Sequence, residues 1–293
     1  MYLTGFTDEA ASDIEKQIEV CRILGWEWID LRSVDGENIV NLPEEKFERI
    51  CEKLEEAEIR VSCFESEIAN WSRKITDSPE RDYREMERAI TRMKRMGTDK
   101  IRIMSYAVPE NIRVSEKEIE EEVIGRLAEL VRIAENGGVI CLHENCETWG
   151  GRSYEHTLRL IDAIDSPSFR LVFDTGNPFT IKDIRGEPPY SYQDALEFFR
   201  NVRAYIDYVH IKDGIIKNGK VEYTYPAEGC SHVTEIIGEL FKSGYNGGFS
   251  IEPHMAVVFH DPDITSSDEY KWSTFIEYGR RTEKLLREAG YRW

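Results

Sequence analysis

Long apolar runs are missing from this sequence. No stretch approaches the roughly 18 residues that a membrane span requires, which sets a membrane-embedded role aside. The opening residues, MYLTGFTDEA, hold no basic segment followed by an apolar one, so no secretory signal is expected there. A basic patch is missing too. Lys and Arg number 38 against 56 Asp and Glu, a formal net charge of −18. Arg92, Lys94 and Arg95 cluster, but on an expected helix among acids. Such a surface repels polyanions and argues against nucleic acid as the partner. Cys21, Cys51, Cys63, Cys141, Cys146 and Cys230 lack the spacing of a disulfide scaffold. Several lie in apolar segments, where a thiol packs as a small hydrophobe. Reduced thiols and a cytoplasmic location are the expectation. No Pro/Gly/Ser-rich linker, tandem repeat or glycine-rich phosphate loop interrupts the chain, which favours one domain over 1–293 and an unphosphorylated ligand.

What is present is a rhythm. An amphipathic helix ends, glycine follows within a few residues, and a short apolar strand runs into polar residues. Ser12 and Glu15 fit a capping box, Ile14, Ile18, Cys21 and Leu24 make one apolar face, and Gly25 suits a left-handed cap. WEWIDLR then reads as a strand. The unit returns with Ser78-Pro79, Tyr83, Met86, Ile90, Met93 and Gly97 before KIRIMSY. It returns again with Ser115 and Glu118 as a capping box, Gly137-Gly138 as the stop, and VICLHEN beyond. Strands are expected at 2–6, 27–32, 60–64, 100–105, 139–144, 170–174, 206–211 and 248–252. Helices are expected near 12–24, 43–57, 79–96, 115–136, 153–164, 191–203, 231–243 and 270–288. Such alternation argues a parallel sheet, and strands apolar throughout are buried on both faces. A closed α/β (β/α)8 TIM barrel fits equal units better than a doubly wound sheet. The longer loops, 65–78, 106–114, 175–190, 212–230 and 253–269, follow strands, where a barrel builds its active-site face.

Four expected strands end in a metal-type side chain: VICLHE at Glu144, LVFD at Asp174, DYVH at His210 and FSIE at Glu252. Singly, a carboxylate at a strand end is more often a helix cap or surface charge, and a histidine in YVHI more often a satisfied core residue. Jointly they fall on one structural edge, and three carboxylates would repel one another without a cation. Carboxylates with one imidazole suit a single divalent cation, Mn²⁺ ahead of Mg²⁺, Co²⁺ or Zn²⁺. Further candidates for contact with a substrate are Arg32, Glu65, Trp149, Asn177, Lys212 and His254, with Asp213 beside Lys212. Trp149 offers a stacking wall for a sugar ring or else packs over its loop. His143 and Asn145 point away from Glu144 by strand alternation, and His143 reads equally as buried in the barrel wall. Cys141, His143 and Cys146 crowd one segment but make a poor zinc site. Glu228 reads as a cap on the long loop 212–230.

HEN, FDTGN, HIKDG and SIEPH, at this spacing, resemble the xylose isomerase-like barrel superfamily, whose members include ketose 3-epimerases, xylose isomerase, inosose dehydratase and endonuclease IV. The resemblance covers nearly the whole chain. It implies one metal held by Glu144, Asp174, His210 and Glu252, with the two glutamates as the acid/base pair. It is similar in the site rather than around it: Asn177 stands where those epimerases carry a substrate histidine, and Lys212, Asp213, Ile216 and Lys217 occupy the region of their substrate arginine.

The expected chemistry is sugar isomerisation or epimerisation. One carboxylate takes a proton from the carbon beside a carbonyl, a divalent cation steadies the enediolate, and the second carboxylate returns the proton. A dehydratase or deglycosidase of an inosose or 3-keto substrate would share the first step and then expel a β-leaving group. A non-catalytic sugar-binding barrel would need a broken ligand set, and this one is complete. Endonuclease IV-like repair is opposed by the acidic charge and by the lack of any histidine before His143. The expected partner is a small-molecule sugar, with a homo-oligomer left open.

Overall fold

The structure, a computed structural model, describes residues 1–258 and 266–293, so the expected loop 253–269 lies partly outside the described residues. Eight parallel strands form the barrel: β1 (Tyr2–Gly5), β2 (Trp28–Leu31), β3 (Arg60–Glu65), β4 (Lys100–Ile103), β5 (Ile140–Glu144), β6 (Phe169–Asp174), β7 (Ile206–Ile211) and β8 (Gly248–Ile251). The hydrogen-bonded order is β1-β8-β7-β6-β5-β4-β3-β2. A parallel bridge between Phe6 and Asp30 joins β1 to β2 and nearly closes the ring. The helices are α1 (Ile14–Leu24), α2 (Glu44–Ala57), α3 (Glu80–Met96), α4 (Glu116–Gly137), α5 (Tyr154–Ile164), α6 (Ala195–Val202), α7 (Val233–Lys242) and α8 (Asp268–Ala289). This is the (β/α)8 barrel that the alternation of units implied.

Local chemistry explains most boundaries. Ser115 and Glu118 form the expected capping box, while α1 is capped by Asp13, whose carboxylate accepts the Lys16 N–H, rather than by Ser12. Asp13 sits one position nearer the first helical residue, and a carboxylate there also suits the helix dipole. Gly25, Gly97 and Gly138 end their helices with φ of 71–75°, where a side chain would be strained. The expected helix 191–203 starts only at Ala195. Before it the chain is held extended, with Lys182 bridged to Tyr192 and the Gln193 N–H donating to the Ile181 carbonyl.

The strand pleat divides the core. Ile101, Cys141, Leu171, Val209 and Phe249 pack outward against helix residues such as Leu127, Leu130 and Val131 of α4. Each large apolar side chain buried this way contributes roughly 1.5–3 kcal/mol. The alternate positions Cys63, Leu142, Val172 and Tyr208 form a small apolar cluster inside the barrel. Two residues further along three of those strands stand Glu144, Asp174 and His210. Register places Asp174 beside His210, and His210 beside Ser250 of β8. The period of two therefore lifts these side chains together onto one layer above the inner cluster.

Several strand-end loops carry structure of their own. Ser33–Val34 pairs with Glu37–Asn38, and Gly214–Lys217 pairs with Lys220–Tyr223 in a hairpin. Asn177–Thr180 makes a single helical turn directly after β6. Among the described residues, no helix is long and apolar enough to cross a membrane.

Candidate metal centre

Glu144, Asp174, His210 and Glu252 each offer a ligand atom, and these atoms lie within 4.8 Å of one another. All four side chains are buried, with Asp174 and His210 wholly so. Glu144 and Glu252 line a cleft of about 810 Å³, its open mouth included, whose walls also hold Arg32, Trp71, Arg102 and Lys212. The expected four-residue set is thus one cluster at the C-terminal face of the barrel, where βα loops build active sites.

Cations are threaded between the carboxylates. Lys212 Nζ lies 2.9 Å from Asp174 Oδ2 and 2.8 Å from Glu252 Oε2. Arg32 reaches Glu252 at 3.3 Å and forks onto Asp8 at 2.9 and 3.0 Å. Arg102 reaches Glu144 at 3.1 Å and Glu65 at 2.9 Å. The Phe6 ring lies under both guanidiniums, 4.5 Å from Arg32 and 5.5 Å from Arg102, and meets His210 edge-on.

These neighbours set the charge state. Burial opposes ionisation of Glu144, yet Arg102 and His210 outweigh it and hold the carboxyl at about 2. Glu252 is likewise buried but driven well below the carboxylate range by Lys212, His254, His210 and Arg32. Asp174 goes the other way: burial lifts it to about 7 against Lys212, with Glu252 and Glu144 adding repulsion. His210 rises to about 10 because Glu65 and Glu144 overcome its burial. The upward shift of His210 reflects the negative charge packed against both edges of its ring. His210 Nδ1 and Nε2 also have no hydrogen-bond partner although fully buried. Three carboxylates and an imidazole without a hydrogen-bond partner, their ligand atoms gathered within 4.8 Å, fit a divalent cation.

The other expected contacts sort into three groups. Asn177, Lys212, His254 and Arg32 line the cleft. Asn177 donates from Nδ2 to Glu144 Oε1 at 3.1 Å, and its backbone N–H donates to Asp174 at 2.7 Å. His254 is fixed by Glu9, which takes both its backbone N–H at 2.8 Å and its ring Nδ1 at 2.9 Å. Glu65 does not reach the mouth: it is fully buried beneath it, between Arg102 and His210. Trp149 does not face the cleft either. It is fully buried, donates from its indole N–H to Glu116 at 3.1 Å and packs edge-on against His156, so packing over its loop is its place.

The flanking residues are structural. His143 bonds Ser105 at 3.0 Å inside the barrel wall. Asn145 bridges to the backbone N–H and carbonyl of Asp174. Asp213 accepts the backbone N–H groups of Gly214, Gly229 and Ser231 and thereby pins the loop 212–230. Glu228 pairs with Arg281 of α8 rather than capping that loop. Among the described residues, no metal-type grouping includes Cys141, His143 or Cys146. Arg102, Asp8, Glu9 and Trp71 were not singled out from sequence. Arg102 alone carried a signal, a charge inside the apolar strand KIRI.

Comparison with known proteins bears on the fold. The family model described as xylose isomerase-like TIM barrel matches residues 18–273. No curated protein matches the sequence. A xylose isomerase-like TIM barrel protein from Mycobacterium smegmatis, solved with magnesium, is 18% identical over 99% of this chain and 97% of its own, at a TM-score of 0.69. D-psicose 3-epimerase from Clostridium cellulolyticum H10, solved with D-tagatose, is 13% identical over 99% of both chains, at 0.71. A probable 3-DHS dehydratase, AsbF, from Bacillus anthracis is 16% identical over 94% of this chain and 98% of its own, at 0.66. At such identities the likeness is one of fold, and its bearers include an epimerase and a dehydratase. With most of its length matched by the family model, the chain belongs to the xylose isomerase-like TIM barrel family.

Proposed function

We propose that this chain is a divalent-metal-dependent sugar epimerase or isomerase that moves a proton on a keto sugar. One observation carries the reading: Glu144 and Glu252 face the same cleft from the ends of β5 and β8, and each lies against an arginine, at 3.1 and 3.3 Å. With both carboxylates anionic at rest, either can remove a proton from the carbon between them, and the other can return one to the opposite face once it has itself taken a proton from solvent. A divalent ion held by Glu144, Asp174, His210 and Glu252 would act as the Lewis acid for charge developing on the sugar oxygens. Arg102 keeps Glu144 ionised, and Lys212, with Arg32 behind it, does the same for Glu252. Asn177 fixes the Glu144 carboxylate through Oε1, leaving Oε2 to Arg102. Lys212 and His254 present donors to substrate hydroxyls at the Glu252 side, and Trp71 supplies an aromatic face on the cleft wall for the sugar's C–H face.

Support for the sugar comes from the epimerase among the structural neighbours and from a cleft rich in fixed donors and acceptors. A lyase is the second reading, favoured by the Lys212 ammonium 2.8 Å from Glu252, a fixed positive charge placed to steady the charge on a departing oxygen. The deciding experiment is solvent deuterium exchange into a panel of ketohexoses and 3-keto sugars with Mn²⁺. Deuterium at the carbon beside the carbonyl, with an epimer or isomer formed, is expected. Loss of water or aglycone with no epimer would assign the lyase instead. Glu144→Gln and Glu252→Gln are each expected to lose about 10²–10⁴ in rate, and normal exchange in either would refute the acid/base pair.

A further inference from the structure

Beneath the cleft lies a second polar layer that the proposed chemistry does not use. Glu65 is fully buried at the tip of β3. Its Oε1 faces His210 Nε2 at 3.6 Å, while His210 Nδ1 faces Glu144 Oε1 at 3.6 Å on the other edge of the ring. Glu65 Oε1 and His210 Nε2 are both without a hydrogen-bond partner, although no solvent reaches either side chain. Two buried, unpartnered groups facing one another are each other's natural complement. Asp30 belongs to the same group but already accepts from Tyr208 at 2.6 Å and from Ser62. The other oxygen of Glu65 lies 2.9 Å from Arg102 Nε, and strand register sets Glu65 and Arg102 side by side. Arg102 in turn reaches Glu144 at 3.1 Å.

We propose that Glu65 is a positioning residue for the metal centre: it takes the His210 Nε2–H, which turns the Nδ1 lone pair toward the ligand cluster, and it braces Arg102 against Glu144. One carboxylate then sets two of the four ligands. A metal-bound imidazole needs such a partner to fix its tautomer and raise its basicity, and loss of the partner typically weakens metal binding about 10–100-fold. Glu65 therefore has no contact with the sugar. The inference rests on the metal reading of the cluster, and its test separates the two.

The experiment is Mn²⁺ titration calorimetry on chelator-treated full-length protein, wild type and Glu65→Gln, with Co²⁺ absorption as a second readout. The expected result is a Mn²⁺ dissociation constant raised about 10–100-fold, an altered Co²⁺ ligand-field spectrum, and sugar KM unchanged at saturating metal. Should the Gln variant not fold, Glu65→Asp keeps the charge beside Arg102 and withdraws the oxygen by one methylene; the same direction is expected. A folded variant with metal affinity within twofold of wild type overturns the inference. So does unchanged metal affinity with a raised KM, which would make Glu65 a sugar ligand. A wild-type chain that takes up neither ion overturns the metal reading itself.

Discussion

Lys212 is the residue whose removal should teach most. Lys212 is only 3% exposed, and its ammonium bridges Asp174 and Glu252, two of the four proposed ligands. Burial disfavours its charge, yet Asp174 and Glu252 outweigh that and lift its pKa well above the ordinary lysine value, so it is a resident cation. A divalent ion sits ~2.1 Å from ligand oxygens, and Nζ is within 2.9 Å of two such oxygens, so the two cations stand at most ~5 Å apart. At an effective dielectric of about 20, a charge of one and a charge of two at that distance repel by roughly 7 kcal/mol. If relaxation leaves even a quarter of this, Lys212→Met tightens metal binding by more than about tenfold. The same substitution leaves two buried carboxylates without their bridge, costing the metal-free protein about 3–5 kcal/mol. The signature is therefore double: a lower melting temperature without metal and a larger upward shift on adding Mn²⁺. Calorimetric titration together with melting curves at several Mn²⁺ concentrations would measure both. Metal affinity equal to or weaker than wild type in a folded Lys212→Met protein would refute the argument.

His143 gives a pH test. Burial holds it at about 4, with only a small opposing pull from Glu144, against 6.5 for the free side chain. Its neutral form is favoured in the folded state, so its contribution is complete above pH 6.5 and is lost as pH falls from 6.5 toward 4, by about 3 kcal/mol at most. Urea midpoints should show a shallower loss over that window in His143→Gln than in wild type; matching slopes would sink the assignment. The tryptophans should separate cleanly. Trp149→Ala should cost about 3–5 kcal/mol in chemical denaturation, whereas Trp71→Ala should leave the melting temperature little changed and raise KM. Asp213→Ala removes the acceptor of three backbone N–H groups and should speed hydrogen exchange at Gly214, Gly229 and Ser231, with the barrel strands unaffected.

The four-residue cluster was legible because two simple regularities coincide in it. Each ligand follows an apolar strand, and the pleat of a parallel barrel brings alternate residues of neighbouring strands to one layer. The cations between the ligands were less legible. Arg102 sits 42 residues from Glu144 in the chain, and nothing local in KIRI says that its charge will be neutralised across two strands. Glu65 read as a mouth residue because a strand tip sets height but not depth; the Arg102 and His210 side chains decide that it lies below the cleft. Trp149 and Trp71 both stand in loops after strands, and only tertiary packing puts the first in the core and the second on the cleft wall. Ser12 against Asp13 is a smaller case, in which adjacent residues competed for one cap.

The charges around the site alternate in a way that bears on how Glu144 and Glu252, the two proposed bases, are both held as anions. Asp8 and Glu9 hold Arg32, which holds Glu252; Lys212 links Glu252 to Asp174; Arg102 links Glu144 to Glu65. Each carboxylate that would touch substrate thus has a cation beside it, and each of the two arginines has a second carboxylate behind it. The outer anions matter because an arginine neutralised only by a catalytic base would pull that base away from the cleft. With Asp8 and Glu65 taking part of the guanidinium charge, Arg32 and Arg102 are anchored from behind. The long contacts to Glu252 and Glu144, 3.3 and 3.1 Å through one nitrogen each, then leave those carboxylates able to turn toward a proton. Contrast the forked, two-oxygen contact of Arg32 with Asp8 at 2.9 and 3.0 Å, which fixes its partner. Asp8→Asn should therefore lower kcat more than it raises KM, since it frees Arg32 to clamp Glu252; an effect on KM alone would show that Arg32 serves the sugar and not the base.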